Sequence, residues 1–344
     1  MTRSDPKKSL AMTARTHDAR RRRLLLAGLL AVSQAGVLHG AAVAADAAGP
    51  AEPLFSTIDL DWFDTARARL VPVRLYLPLL ASSEQPVPLV VFSHGIGGSR
   101  EGYSYLGRFW ASQGLASLHM QHVGSDRSLW SGNPFGLAGR LHDAAQAREA
   151  ESRVNDLHFA LDRMLGGEMG SRIDPRRIAA AGHSYGANTT LLAIGARVER
   201  DGEERSFRDP RITAAIVISS PPFYTEAPLA RILGQVAVPS LHITSTDDVI
   251  RVPGYYSPAA DRVAVFEAIG GSPKTLAVFS GGSHNIFSDR PTSGGAMLNP
   301  QVKLATQALS LAFLRSRFDG TADALREWPQ EYAGLLARYV AGSP

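Results

Sequence analysis

Cysteine is absent from all 344 residues. No disulfide can brace the fold, no thiol can act as nucleophile and no thiolate can hold a metal, so the chain must be held by an apolar core. With 44% hydrophobic and 20% charged residues, it can build one, and disorder throughout is excluded. A surplus of positive charge is also missing once the first 44 residues are set aside. There Arg3, Lys7, Lys8, Arg15 and Arg20 to Arg23 stand against Asp5 and Asp18, a net of six positive charges. The whole chain carries +4, which leaves about −2 for the remainder. The basicity belongs to the leader, and no nucleic-acid partner is expected.

An unbroken apolar run long enough to cross a bilayer is lacking too. Leu24 to Val43 is interrupted by Ser33, Gln34, Gly36, His39 and Gly40 and has no stop-transfer flank. Preceded by Arg20 to Arg23 and followed by the small residues Ala42-Val43-Ala44-Ala45, it has the layout of an export signal. Residues 1–44 are therefore expected to be a cleaved signal peptide, leaving no stable membrane insertion and a periplasmic or secreted protein. The paired arginines ahead of Leu24-Leu25 also fit a twin-arginine signal. Residues 45–53 read as a flexible start to the mature chain, and 54–344 as one domain.

Within that domain the stretch Ile178 to Leu191 organises the rest. A short apolar run meets Gly182-His183-Ser184-Tyr185-Gly186 and then a segment that can be helical, the pattern of a nucleophile elbow. The turn strains the serine and leaves little room for side chains two residues to either side. Ser184 is the candidate nucleophile.

Strands are expected at Leu54–Leu60, Leu70–Leu77, Pro88–Phe92, Leu115–Gln121, Ile212–Ile218, Val238–Thr244 and, as the last, Leu276–Phe279. Pro72 places the second near an edge or delays its start. Helical spacing marks Tyr103–Gly114, Glu149–Leu165 and residues 301–318, the last with Leu304, Ala308, Leu311, Leu314 and Phe318 on one face. The tail from Ala322 to Val340 reads as helical with a break at Pro329, and Glu199–Asp209 as a charged surface loop. Residues 123–145 form a long irregular insertion carrying Trp130 and Phe135. It is either a substrate wall or partial lid, or a surface loop with its aromatics tucked down. Alternating strands and helices predict an α/β fold with a mostly parallel central sheet and helices on both faces.

Catalytic groups in such sheets collect at the carboxyl ends of the strands. Ser184, the pair Asp247-Asp248, and His284 each follow an apolar run, in the chain order Ser, Asp, His. His284 can take the serine proton and return it to a leaving group, and an aspartate on its other nitrogen would fix the tautomer. Asp248, one residue further into the loop, is the preferred acid, with Asp247 as alternative. The glycine-rich bend Ser93-His94-Gly95-Ile96-Gly97-Gly98-Ser99 suits an oxyanion hole, built from the N–H groups of Ile96 and Tyr185. His94, Gly95, Trp130, Phe135 and His183 are candidates to line the substrate pocket, His94 and His183 having structural roles as the alternative. His119 and His122 lie three apart without a convincing third ligand, so no metal is expected, nor any cofactor.

These residues resemble the α/β-hydrolases related to dienelactone hydrolase, platelet-activating-factor acetylhydrolases, chlorophyllase-like esterases and bacterial polyester hydrolases. The likeness rests on Val90-Val91-Phe92-Ser93-His94-Gly95, Gly182-His183-Ser184-Tyr185-Gly186, the Asp-bearing turn before Val249-Ile250, and Gly282-Ser283-His284. It spans roughly residues 55–318. It implies a serine carboxylic ester hydrolase with Ser184, Asp248 and His284 as triad, Ile96 and Tyr185 as oxyanion donors, and a small-molecule ester as partner. The missing cysteine separates the chain from dienelactone hydrolase itself, whose nucleophile is a thiol. Alternatives are an acetylhydrolase of lipid-like or phospholipid esters, a peptidase, and a non-catalytic binding protein on a hydrolase scaffold.

Overall fold

A computed structural model describes residues 53–223, 227–252, 255–271, 273–290, 293 and 295–342. The expected signal peptide and residues 45–52 lie outside the described residues. Strands β1 (Phe55–Asp64) and β2 (Arg69–Pro78) form an antiparallel hairpin. They are followed by β3 (Val87–Ser93), α1 (Ser104–Ser112) and β4 (Ala116–Met120). Next come α2 (Leu137–Ala144), α3 (Ala147–Gly166), β5 (Ile173–His183) and α4 (Tyr185–Ala193). The chain continues through β6 (Arg197–Arg200), β7 (Glu203–Ser206), β8 (Ile212–Ile218), α5 (Leu229–Leu233) and β9 (Ser240–Asp247). Then follow β10 (Ile250–Val252), β11 (Tyr255–Ser257), α6 (Ala260–Ala268) and β12 (Lys274–Ser283). Last are α7 (Leu298–Phe318), α8 (Asp323–Glu331) and β13 (Leu336–Val340).

The main sheet has nine strands in the order β1-β2-β4-β3-β5-β8-β9-β12-β13. From β4 to β12 neighbours run parallel; β1, β2 and β13 add antiparallel edges. The continuous apolar runs of the central strands follow from burial on both faces. Alternate residues feed two cores. Val91, Ala180 and Val217 meet Val154, Leu157 and Leu161 of α3 on one side. Val90, Phe92, Ala179, Ala181, Ile216 and Ile218 meet Leu106 and Trp110 of α1 and Leu309 and Phe313 of α7 on the other. Each large side chain so buried contributes roughly 1.5–3 kcal/mol.

Several expectations are corrected. Strand β2 is second from the sheet edge, near it as Pro72 suggests, but its start is not delayed and lies at Arg69; Pro72 is accommodated because pairing with β4 starts only at Val73. Residues expected as a charged loop at 199–209 instead form most of the hairpin β6–β7. Its exposed strands carry Val198 as their only buried apolar residue, so no hydrophobic alternation announces them. The face expected on α7 is right except at its start: Leu314 is buried and Ala308, Leu311 and Phe318 pack against the core, but Leu304 is 60% exposed, and Val302, Ala305, Leu309 and Phe313 widen the buried face beyond the expected stripe. The tail is not helical to its end, because β13 pairs with β12. Nor does Pro329 break α8. The Leu325 carbonyl, four residues back, has no N–H to meet there and lies 3.4 Å from the Tyr339 hydroxyl instead. The 123–145 insertion is not irregular throughout, since it contains one-turn 3-10 segments at Arg127–Trp130 and Pro134–Gly136, then α2. Leu129, Leu141 and Ala144 pack there with Leu137 and Ile96.

Candidate active site

Ser184 stands between β5 and α4 with φ 56° and ψ −121°, a conformation that side chains rarely adopt. Close approach explains the flanking glycines. A Cβ on Gly182 would run into the Gly186 carbonyl, and one on Gly186 into that of Ser93. The Ser184 N–H donates to Ile218 O at 2.9 Å, which ties the turn to β8.

Ser184 Oγ lies 2.8 Å from His284 Nε2, and His284 Nδ1 lies 2.6 Å from Asp248 Oδ1. His284 opens a short 3-10 turn directly after β12, and Asp248 directly follows β9, the parallel neighbour of β12. The two ends are fastened together: Ser245 Oγ donates to Gly282 O at 2.7 Å, and the Gly281 N–H to Thr246 Oγ1 at 2.7 Å. Of the two adjacent aspartates, Asp248 is buried and meets the imidazole; Asp247 is exposed and its described side-chain partner is Thr246. Thr244 Oγ1 donates to Asp248 Oδ2 at 2.7 Å, and Arg262 Nε lies 3.5 Å from Oδ1. Burial alone would push the Asp248 carboxyl up. The hydrogen bond and charge of His284, then the charge of Arg262, outweigh it and hold the group well below the usual carboxylate range.

The glycine bend after β3 packs against this turn, and a Cβ on Gly95 would come 3.3 Å from that of Ser184. Its peptide orientation follows from His94. The His122 N–H donates to His94 Nε2 at 3.2 Å, which places the ring proton on Nδ1; that proton goes to Gly95 O at 2.7 Å. The Gly98 N–H reaches the same oxygen at 3.0 Å. With the Gly95 carbonyl held from that side, the trans peptide turns the Ile96 N–H the opposite way. Tyr185 is the first residue of α4, so its N–H has no acceptor within the helix. Among the described residues no hydrogen bond takes up the Ile96 N–H.

No curated protein matches this chain. The family model of platelet-activating factor acetylhydrolase, isoform II, matches residues 70–132, from β2 into the insertion. Among solved structures, a ferulic acid esterase from Streptomyces cinnamoneus is similar with a TM-score of 0.55 at 22% identity, covering 79% of this chain and 93% of that one. The fold is that of an α/β-hydrolase. The resemblance expected from the motifs is thus met by the fold and, over residues 70–132, by the acetylhydrolase family model.

Two histidines expected to line the pocket of this hydrolase fold are buried and fully engaged by protein. His94 is occupied as described. The Tyr103 hydroxyl donates to His183 Nδ1 at 2.7 Å, and His183 Nε2 donates to the main-chain oxygen of His284 at 2.9 Å. Burial, reinforced by the charge of His284, pushes His183 down to about 3. Neither side chain is free to touch a substrate. Trp130 is half-exposed, covers Gly97 and donates its indole N–H to Gly97 O at 2.8 Å, whereas Phe135 is 95% exposed. His119 faces Gly102 O and Ser117, and His122 faces Asp156 and Ser93, so each is spoken for separately. Among the described residues no cluster of His, Asp and Glu could hold a metal. Sequence reasoning missed Tyr103, Arg153, Thr244 and Arg262. For Arg153 there was a signal: it shares the helical stripe of Leu157, Ala160 and Met164, which are buried.

Proposed function

We propose that this chain is a serine carboxylic ester hydrolase working through an acyl-enzyme, with Ser184 as nucleophile, His284 as base and then acid, and Asp248 as the supporting carboxylate. The 2.8 Å approach of Ser184 Oγ to His284 Nε2, with Asp248 on the other ring nitrogen, carries the assignment. His284 then keeps its proton on Nδ1 and offers Nε2 to the hydroxyl. As Ser184 Oγ attacks the ester carbonyl carbon, its proton passes to Nε2 and the carbonyl oxygen becomes an oxyanion facing the N–H groups of Ile96 and Tyr185. Collapse breaks the bond to the alcohol, which leaves with the Nε2 proton. Water repeats the sequence on the acyl-enzyme and releases the carboxylic acid. Donors fixed before the reaction are worth roughly 10²–10³ in rate apiece.

A small or medium ester is the proposed substrate. Both matched proteins are named for ester cleavage, one as an acetylhydrolase and one as an esterase. An acetylated lipid-like ester is the second choice, favoured by the match over residues 70–132 and by the exposed aromatic rings of the insertion, Trp130 against the glycine bend and Phe135 five residues on. With the leader taken as an export signal, the reaction would occur outside the cytoplasm. Fluorophosphonate labelling tests the chemistry: a single adduct on Ser184, lost in Ser184→Ala together with nitrophenyl-ester turnover, is expected. An unlabelled, inactive wild type would leave a binding protein on a hydrolase scaffold. An acyl-length series of nitrophenyl esters separates the two substrate classes.

A further inference from the structure

Arg153 is a fully buried cation on α3, and among the described residues it forms no ion pair. Taking a guanidinium out of water without a carboxylate partner is costly, so its donors must be well used. Each contact leads to the same place. Nη2 donates to the His94 carbonyl, at the start of the glycine bend. Nη1 donates to Ser125 Oγ at 2.8 Å, and the Ser125 carbonyl accepts the Gly97 N–H at 2.8 Å, at the far end of that bend. Ile96 lies between the two fixed points. Nε donates to Thr189 Oγ1 at 3.0 Å, and Thr189 Oγ1 donates in turn to the Tyr185 carbonyl at 3.2 Å. The guanidinium carbon also sits 4.6 Å from the centre of the Tyr185 ring, a cation–π contact.

We propose that Arg153 is the positioning residue of the oxyanion hole, one rigid fork that sets the Ile96-bearing bend and Tyr185 in register with each other. The two donors come from loops after different strands, β3 and β5, and a hole built from separate loops works only if their spacing is held. A lysine offers a point charge and cannot span the three acceptors with fixed angles; a planar guanidinium can. Burial and neighbouring charges leave Arg153 ionised, lowered only to about 10.

This inference rests on the assignment of the Ile96 and Tyr185 N–H groups as oxyanion donors, so the test keeps the two apart. Wild type, Arg153→Met and Arg153→Lys are compared for folding by circular dichroism, for kcat and KM on nitrophenyl butyrate, and for inhibition by an alkyl trifluoromethyl ketone. The ketone's serine adduct carries the tetrahedral oxyanion. Misplaced donors cost roughly 10²-fold. Arg153→Met is therefore expected to lose about 10² in kcat, with KM moving less than about threefold, while the ketone Ki rises by the factor that kcat/KM falls. Arg153→Lys should recover part of both losses together. A role in folding alone would lower the melting temperature and leave the ketone affinity of the folded fraction unchanged. Folded Arg153→Met with kcat and ketone Ki within about threefold of wild type overturns the proposal, and if that variant does not fold, the same comparison on Arg153→Lys decides. A wild type that neither hydrolyses esters nor reacts with fluorophosphonate would instead overturn the hydrolase assignment.

Discussion

His183 donates its Nε2 proton to the main-chain oxygen of His284 at 2.9 Å, so the residue next to the serine in sequence holds the backbone of the histidine that meets that serine in space. The Tyr103 hydroxyl completes the chain on Nδ1. Deleting the middle member orphans a buried carbonyl and a buried hydroxyl. His183→Ala is expected to cost about 2–4 kcal/mol in urea unfolding and to lower kcat on any hydrolysed ester. Tyr103→Phe, which leaves one imidazole nitrogen without a donor, should cost about 1–2 kcal/mol. Equal losses in the two variants would argue against the chain as drawn.

Buried histidines set an acid limit on stability. Burial lowers His183 and His242 to about 3 and His119 to about 4, and takes His94 and His122 well below their ordinary value near 6.5. The unfolded chain binds protons at these sites as pH falls below about 6.5, whereas the folded chain does so only well below that, at about pH 3–4 for His183, His242 and His119, so their stabilisation is full above 6.5 and is lost as pH falls below it. Urea unfolding between pH 7 and 4.5 should therefore show stability falling by more than one proton's worth, about 1.4 kcal/mol per pH unit. His242→Gln should make the slope shallower.

The meeting of Ser184, Asp248 and His284 was legible because each follows an apolar run, and parallel runs buried on both faces deliver their ends to one edge. Choosing Asp248 over Asp247 was a weaker inference, and it agrees with the described contacts because β9 continues to Asp247 and only the next residue turns inward. Of the supporting shell only Arg153 left a trace, a charge on an apolar helical stripe, and its partners were not legible; Tyr103 reaches His183 from a left-handed position, φ 58°, that no local pattern announces. The buried face of α7 is wider than its expected stripe because apolar residues occupy two adjacent stripes and both pack against the core, leaving out only Leu304. Strand β13 was missed because an edge strand of mixed burial carries no clear period.

The neighbouring aspartates give a sharp contrast. Asp248→Asn keeps the shape but presents the wrong partner to His284 Nδ1, and kcat is expected to fall by about 10³–10⁴, as for a triad with its tautomer misplaced. Asp247 is exposed and away from the ring, so Asp247→Asn should remain within about threefold of wild type. Active-site labelling in parallel would show whether the Asp248→Asn loss lies in chemistry rather than in folding.

The insertion between β4 and α3 poses a question of substrate contact that its two aromatics can answer. Phe135 is 95% exposed, so Phe135→Ser should change unfolding free energy by less than about 0.5 kcal/mol. Trp130 both covers Gly97 and bonds to its carbonyl, within the bend whose other end is held at His94. Trp130→Ala should therefore loosen the bend and lower kcat on a small acetate ester by roughly threefold to tenfold, a fraction of what outright loss of a donor costs. If the insertion also forms a wall of the substrate cleft, both variants raise KM for long or aromatic acyl esters while leaving KM for the acetate ester unchanged. Because Phe135 has almost no folded-state burial to lose, a KM effect there can come only from contact with substrate. A flat KM series in Phe135→Ser would return the insertion to a surface loop.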